Sequence, residues 1–189
     1  MAVRYSISLI VEKVQQTMKK YGESDPFRLA KAMGIIVKYQ PMGLEKGCCK
    51  GFFIVHKRIK LNTVNCDLPT VMQRIVLAHE IGHAVLHAES GALAPFTDST
   101  LFDAGDFTEF EANVFASELL LPDADVGEAL NEDAYFQQIA AQLNVPWEML
   151  DFKFRVMKKK GFMVNTPYLA QANFLKDFEN QATNVYDNC

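Results

Sequence analysis

LPTVMQRIVLAHEIGHAVL, from Leu68 to Leu86, is apolar on nearly every face yet carries His79, Glu80 and His83 in its second half. A helix that is hydrophobic all round belongs inside a domain. Asp67 is placed to cap its N-terminus, and Pro69 fits the first turn, where a missing N–H costs nothing. Burying a polar group without a partner costs roughly 2–7 kcal/mol, so two histidines and a glutamate inside such a helix need partners. On a helix His79 and His83 lie on one face, one turn and ~6 Å apart, so both imidazoles reach a single ion. Glu80 sits beside them, placed to take a proton from a water that the ion would activate. This H-E-x-x-H arrangement is the working part of one class of zinc peptidase. Shuffling the composition gives the motif in roughly one chain in two hundred, so the buried helical context is what decides in its favour.

Zinc requires a third protein ligand. In the extended pattern H-E-x-x-H-x-x-G-x-x-H the glycine and third histidine fall at Leu86 and Glu89, which excludes that arrangement. His87 continues the four-residue spacing, but a helix rises ~12 Å over eight residues, too far for His79 and His87 to share one ion. That leaves His87 as a partner of a ligand, a cation at the helix C-terminus or a substrate contact. The remaining solution is a glutamate from another helix. Phe107 to Pro122 (FTEFEANVFASELLLP) reads as that helix, with Pro122 marking its end. Glu109 and Asn113 are four apart and share a face, whereas Glu111 points roughly 200° away from Glu109. Glu109 is therefore the preferred ligand, Asn113 the acceptor for the free N–H of a ligating histidine, and Glu111 the fallback ligand.

Outside these two segments the chain shows neither repeats nor low complexity. Helical spacing runs from Ser6 to Tyr21, closed by Gly22, and Asp25-Pro26 starts a second short helix that Gly34 ends. Strand-like runs follow at 35–39, 52–56 and 58–62, the latter two hairpin-like. The expected fold is α+β and zincin-like: a small β-sheet packed on the H-E-x-x-H helix and a second, glutamate-bearing helix, mostly helical overall. Residues 1–130 are expected to form this domain, with 131–189 a helical extension packed on it. Residues 88–106, with Gly91, Pro95, Gly105 and several small polar residues, read as a loop, either a wall or lid over the site or a plain surface connection.

Four stretches carry a family resemblance: YGESDPF from Tyr21, AKAMGI from Ala30, AHEIGHAVLH from Ala78 and EFEANVFASELLLP from Glu109. Their content and order resemble the ImmA/IrrE metallopeptidases over roughly the first two thirds of the chain. The resemblance implies a gluzincin-like Zn2+ site with ligands at His79, His83 and Glu109 and a catalytic glutamate at Glu80. It further implies a site-specific endopeptidase that cleaves or inactivates a helix-turn-helix repressor of a phage or mobile element. One departure is Lys46 to Gly51, KGCCKG, where relatives pass more directly into the strand. The competing reading is a non-catalytic regulator that binds a repressor or DNA; the intact Glu80 favours the enzyme.

Composition agrees with a folded enzyme. The chain has 189 residues, 49% hydrophobic, and a net charge of −4, which argues against both disorder and a general nucleic-acid-binding surface. No apolar run approaches the ~20 residues that span a bilayer and no signal-peptide pattern opens the chain, so a cytoplasmic location is expected. Cys48, Cys49, Cys66 and Cys189 lack metal-site spacing and are expected as free thiols. Tyr135 to Gly161 has the rhythm of a helix-turn-helix, but its basic residues cluster at the far end of the second helix, so DNA is not the expected partner. Further candidates for stabilising an oxyanion are Tyr135, Tyr168 and His87.

Overall fold

The computed structural model describes residues 4–45, 47–87, 107–130 and 135–164. The 88–106 connection, Tyr168 and Cys189 lie outside these residues. Two helices lead into the sheet. Helix α1 (Ile7–Tyr21) starts at Ser6, whose side chain accepts from the Leu9 N–H, and stops at Gly22 in the left-handed region (φ 69). Helix α2 (Pro26–Ala32) begins with Asp25 accepting from the Phe27 and Arg28 N–H groups, and Pro26 occupies its first turn.

Three strands follow: β1 (Ile35–Gln40), β2 (Gly51–His56) and β3 (Ile59–Asn65). Their order in the sheet is β1-β3-β2, with β2–β3 an antiparallel hairpin and β1–β3 parallel. The hairpin turns at Lys57 and Arg58, both with positive φ (47 and 69), the geometry a two-residue turn needs to match strand twist. Register puts Ile35, Phe53 and Val64 on the face toward the helices. Gly51 is required on that face, because a Cβ there would lie 2.5 Å from Val76 Cγ1 and 2.9 Å from the Thr63 carbonyl oxygen.

Helix α3 (Thr70–Leu86) lies against this face and is buried from Ile75 through His83 without a break. Its start differs from the sequence expectation. Pro69 occupies the N-cap with no side-chain cap bond. Asp67 instead accepts from the Met42 and Gly43 N–H groups at 3.0 and 2.8 Å. A carboxylate two residues further from the helix meets the backbone of the β1–β2 connection before it meets the first turn. Asn65 completes the staple, donating to the carbonyl oxygens of Gly43 and Cys49. The Asn65 bond to Cys49 fastens the 47–51 stretch, where Lys50 is buried with its ammonium 3.2 Å from Cys48 Sγ.

Helix α4 (Phe107–Leu120) crosses α3 and is enclosed by α1, α3 and α7 (Trp147–Lys159). Between α4 and α7 come α5 (Asp123–Ala129) and α6 (Phe136–Gln142). The α6–α7 pair turns at Asn144, left-handed at φ 52, and joins the main core. Residues 148–154 of α7 are all buried, so the second helix of this helix-turn-helix rhythm has no face to lay in a groove. No helix of the described residues is long and apolar enough to cross a membrane. Among the described residues Cys48, Cys49 and Cys66 form no disulfide with one another.

Candidate metal centre

The α3–α4 crossing decides the geometry of the site. Gly82 lies between the two motif histidines and faces α4. A Cβ there would sit 3.1 Å from Ala112 Cα, 3.2 Å from the Ala112 carbonyl oxygen and 3.2 Å from Phe115 Cβ. Glycine on one helix and alanine on the other let the backbones close up. Glu109, one turn before Ala112, is thereby brought over His79 and His83.

At this crossing the Nε2 atoms of His79 and His83 are 2.9 Å apart. Glu109 Oε2 lies 3.1 Å from His79 Nε2 and Glu109 Oε1 3.4 Å from His83 Nε2. Ligand atoms held ~2.0–2.2 Å from a tetrahedral zinc ion lie roughly 3.3–3.5 Å from one another; one spacing here falls in that range and two are somewhat shorter, so the three donors are gathered closely enough to share one small ion. The donor set, two imidazoles and a carboxylate all within 4.8 Å of one another, suits a borderline divalent metal. His79 and His83 are buried, and the Glu109 side chain keeps 13% exposure, the one opening toward solvent in the triad.

Ionisation favours the same use. Burial, reinforced by repulsion from His79 and His87, pushes His83 down to about 4 despite its contacts with Glu109, so at neutral pH it presents a lone pair. Burial alone would raise the Glu109 carboxyl. The facing ring nitrogens of His79 and His83 outweigh it and hold the group well below the usual carboxylate range. Neutral imidazoles and an ionised carboxylate are the forms a metal requires.

Behind the triad stand further polar groups. His79 Nδ1 is 2.8 Å from Asn113 Oδ1, the position the shared face of α4 implies for that residue. His83 Nδ1 is 3.1 Å from His87 Nδ1, and His87 Nε2 is 2.9 Å from Glu111 Oε2. Glu111 is therefore not beside the triad. It is turned toward His87 and also accepts from the Tyr5 N–H at 2.6 Å. With both ring nitrogens engaged and 6% exposure, His87 is not placed to contact substrate or an oxyanion. Tyr135 is 73% exposed at the start of α6, and Glu80 is buried on the α3 face that carries Val76 toward the sheet.

Comparison with known proteins follows the same residues. The family model described as IrrE N-terminal-like domain, a peptidase family, matches residues 30–155. The chain belongs to the ImmA/IrrE family of metallopeptidases. One relative, from Bacillus phage phi105 and named "Uncharacterized immunity region protein 2", is 37% identical over 147 residues, covering 77% of this chain and 89% of the relative. Metallopeptidase ImmA of Bacillus subtilis (strain 168) is 29% identical over 151 residues, covering 79% and 86%. Membership in the ImmA/IrrE family implies a bound metal ion, and the donor set above fits one.

Two contributors were not legible as such in the sequence. Gly82 reads there only as a filler position of the motif, although an interior helical glycine costs roughly 1 kcal/mol against alanine and so hints at a close approach. The Tyr5 N–H could not be foreseen, because its contact with Glu111 spans 106 positions of sequence.

Proposed function

We propose that this ImmA/IrrE protein is a zinc-dependent endopeptidase acting in the cytoplasm, with His79, His83 and Glu109 as metal ligands and Glu80 as general base. The observation that best supports this reading is the convergence of those three donors within 4.8 Å on two crossing helices, with Glu80 next to His79. A bound divalent ion would supply Lewis acidity, lowering the pKa of a water toward ~7 and polarising the scissile carbonyl. Glu80 takes the proton from the attacking water and passes it to the departing amine, so one carboxyl serves as base and then as acid. Asn113 holds the His79 ring so that Nε2 faces Glu109, and burial keeps the His83 imidazole neutral.

For substrate we propose a helix-turn-helix repressor of a phage or mobile element. The name of the phage relative, an immunity region protein, supports that direction. Incubating the purified chain with the repressor encoded beside its gene tests both proposals. Discrete fragments are expected, abolished by chelation and by Glu80→Gln. Release of the repressor from DNA without cleavage, unaffected by Glu80→Gln, would instead favour a non-catalytic regulator.

A further inference from the structure

Two imidazoles face each other at His83 and His87 through the same kind of atom, Nδ1 to Nδ1 at 3.1 Å. One must donate and the other accept, so the contact has a direction. Beyond it, His87 Nε2 meets Glu111 Oε2 at 2.9 Å, and the other Glu111 oxygen accepts from the Tyr5 N–H at 2.6 Å. All three side chains are buried: His83 at 2%, His87 at 6% and Glu111 at 2% exposure. The chain of bonds can run two ways. If Glu111 donated, His87 would pass a proton-bearing Nδ1 to His83, and the His83 hydrogen would sit on Nε2, the atom that faces His79 and Glu109. If Glu111 accepts, His87 donates through Nε2, its Nδ1 accepts from His83, and His83 Nε2 keeps a lone pair. Only the second direction makes His83 a ligand.

We infer that Glu111 and His87 form a positioning relay that fixes His83 in its metal-binding tautomer, with the backbone of Tyr5 anchoring the far end. This rests on the assignment of His79, His83 and Glu109 as ligands and deepens it. The two histidines are then set by different devices. His79 donates to a neutral amide, Asn113, whereas His83 donates to an imidazole backed by a carboxylate. The second device brings negative charge to the site and raises the basicity of the ligand behind which it stands. It also ties the N-terminal segment to the centre. Tyr5 bonds Glu111 through its N–H while the Arg4 guanidinium lies 3.4 Å from the centroid of the Phe107 ring, at the start of the helix that carries both Glu109 and Glu111.

Zinc affinity of the purified protein, measured by competition with a chromophoric chelator, tests the relay. His87→Phe keeps the ring shape but neither nitrogen, and Glu111→Leu removes the carboxylate; each is expected to weaken zinc about 10–100-fold. His87→Asn returns an oxygen near the position of Nδ1 and is expected to recover most of that loss. In the metal-free protein, imidazole 1H–15N spectra are expected to show His83 protonated at Nδ1, and His87→Phe to mix the two tautomers. That readout, with far-UV circular dichroism as the fold check, does not depend on activity. Wild-type zinc affinity in both His87→Phe and Glu111→Leu, or a wild-type His83 hydrogen on Nε2, would overturn the relay while leaving the ligands standing. A wild-type chain that binds no zinc would overturn the ligand assignment and the relay together.

Discussion

Helix α4 carries largely buried acids at both ends, Glu109 and Glu111 near its start and Glu118 near its close, and the two ends are completed differently. Near its C-terminus Glu118 meets Lys153 at 2.6 Å and Lys160 at 2.6 Å, and the same lysines reach Asp123 at 2.6 and 2.7 Å. Two positive and two negative charges close the account within the chain. Near its N-terminus the ion-pair partners of Glu109 and Glu111 among the described residues are histidines, which carry charge only when protonated. Self-neutralised acids are structural and hold α4, α5 and α7 together. Acids faced by imidazole nitrogens, with no lysine or arginine among the described residues to pair them, are suited to a cation from outside.

The largest effects should fall at the donor end. His83→Ala, His79→Ala and Glu109→Ala each leave two donors, and loss of stoichiometric zinc is expected by elemental analysis after dialysis. Glu80→Gln is expected to retain zinc and lower kcat about 10²–10⁴-fold, the usual worth of a positioned acid–base group. Stoichiometric zinc in Glu109→Ala with none in Glu118→Ala would reverse the comparison.

At the other end Lys153→Met should act on stability alone. Lys153 is fully buried, and removing it leaves Glu118 and Asp123 with only the half-exposed partner Lys160. Breaking one side of a buried pair costs about 3–5 kcal/mol, with Lys160 expected to hold the loss to the lower part of that range. Denaturant unfolding measures it, and zinc affinity should stay within about threefold of wild type, an expectation taken from the distance rule for independent sites.

Gly82→Ala probes the crossing that separates the two ends. Helix propensity favours alanine by roughly 1 kcal/mol, while forcing a methyl into a packed crossing costs about 1–3 kcal/mol. With backbone atoms of Ala112 at 3.1 and 3.2 Å as the obstacle, the crowding should win, for a net loss of about 1 kcal/mol. Because the helices must part by a few tenths of an ångström, zinc affinity should fall as well. A stabilised variant with unchanged affinity would show that the crossing has slack.

How much of this was readable in the sequence follows from what is local and what is not. Helix ends set by Gly22 and Asp25 were legible, since each is a property of neighbouring residues, whereas Ser6, read as the first helical residue, caps the helix instead. The phase of Glu109 and Asn113 against Glu111 was legible too, because 3.6 residues per turn fixes it once the helix is granted. The order β1-β3-β2 was not, as parallel pairing of β1 with β3 depends on a crossover rather than on either strand. Asp67 misled because a cap and a loop staple use the same carboxylate. Lys160 read only as one of the basic residues at the far end of the second helix, and the packing of α5 beside α4 was needed to show its two acids.

The smallest expected effect concerns pH, at the self-neutralised end. Burial opposes ionisation of Asp123, but hydrogen bonds from Lys153 and Lys160 outweigh it and hold the carboxyl below its ordinary 3.8. Burial likewise opposes charge on Lys160, and bonds to Asp123 and Glu118 outweigh that, raising it above 10.5. A depressed acid contributes stability that is present above its unfolded value and lost as pH falls through the folded one. A raised base contributes stability that is present below its unfolded value and lost as pH rises past the folded one. From these groups the metal-free protein should therefore lose stability below about pH 3.8 and again above about 10.5. Asp123 keeps 34% side-chain exposure and Lys160 22%, so solvent screens both and the changes should be modest. Thermal unfolding of Asp123→Asn across this range is expected to flatten both limbs, because one carboxylate serves both lysines. A flattened acid limb with an unchanged alkaline one would mean that Glu118 alone holds Lys160, dividing the cluster into two separate pairs.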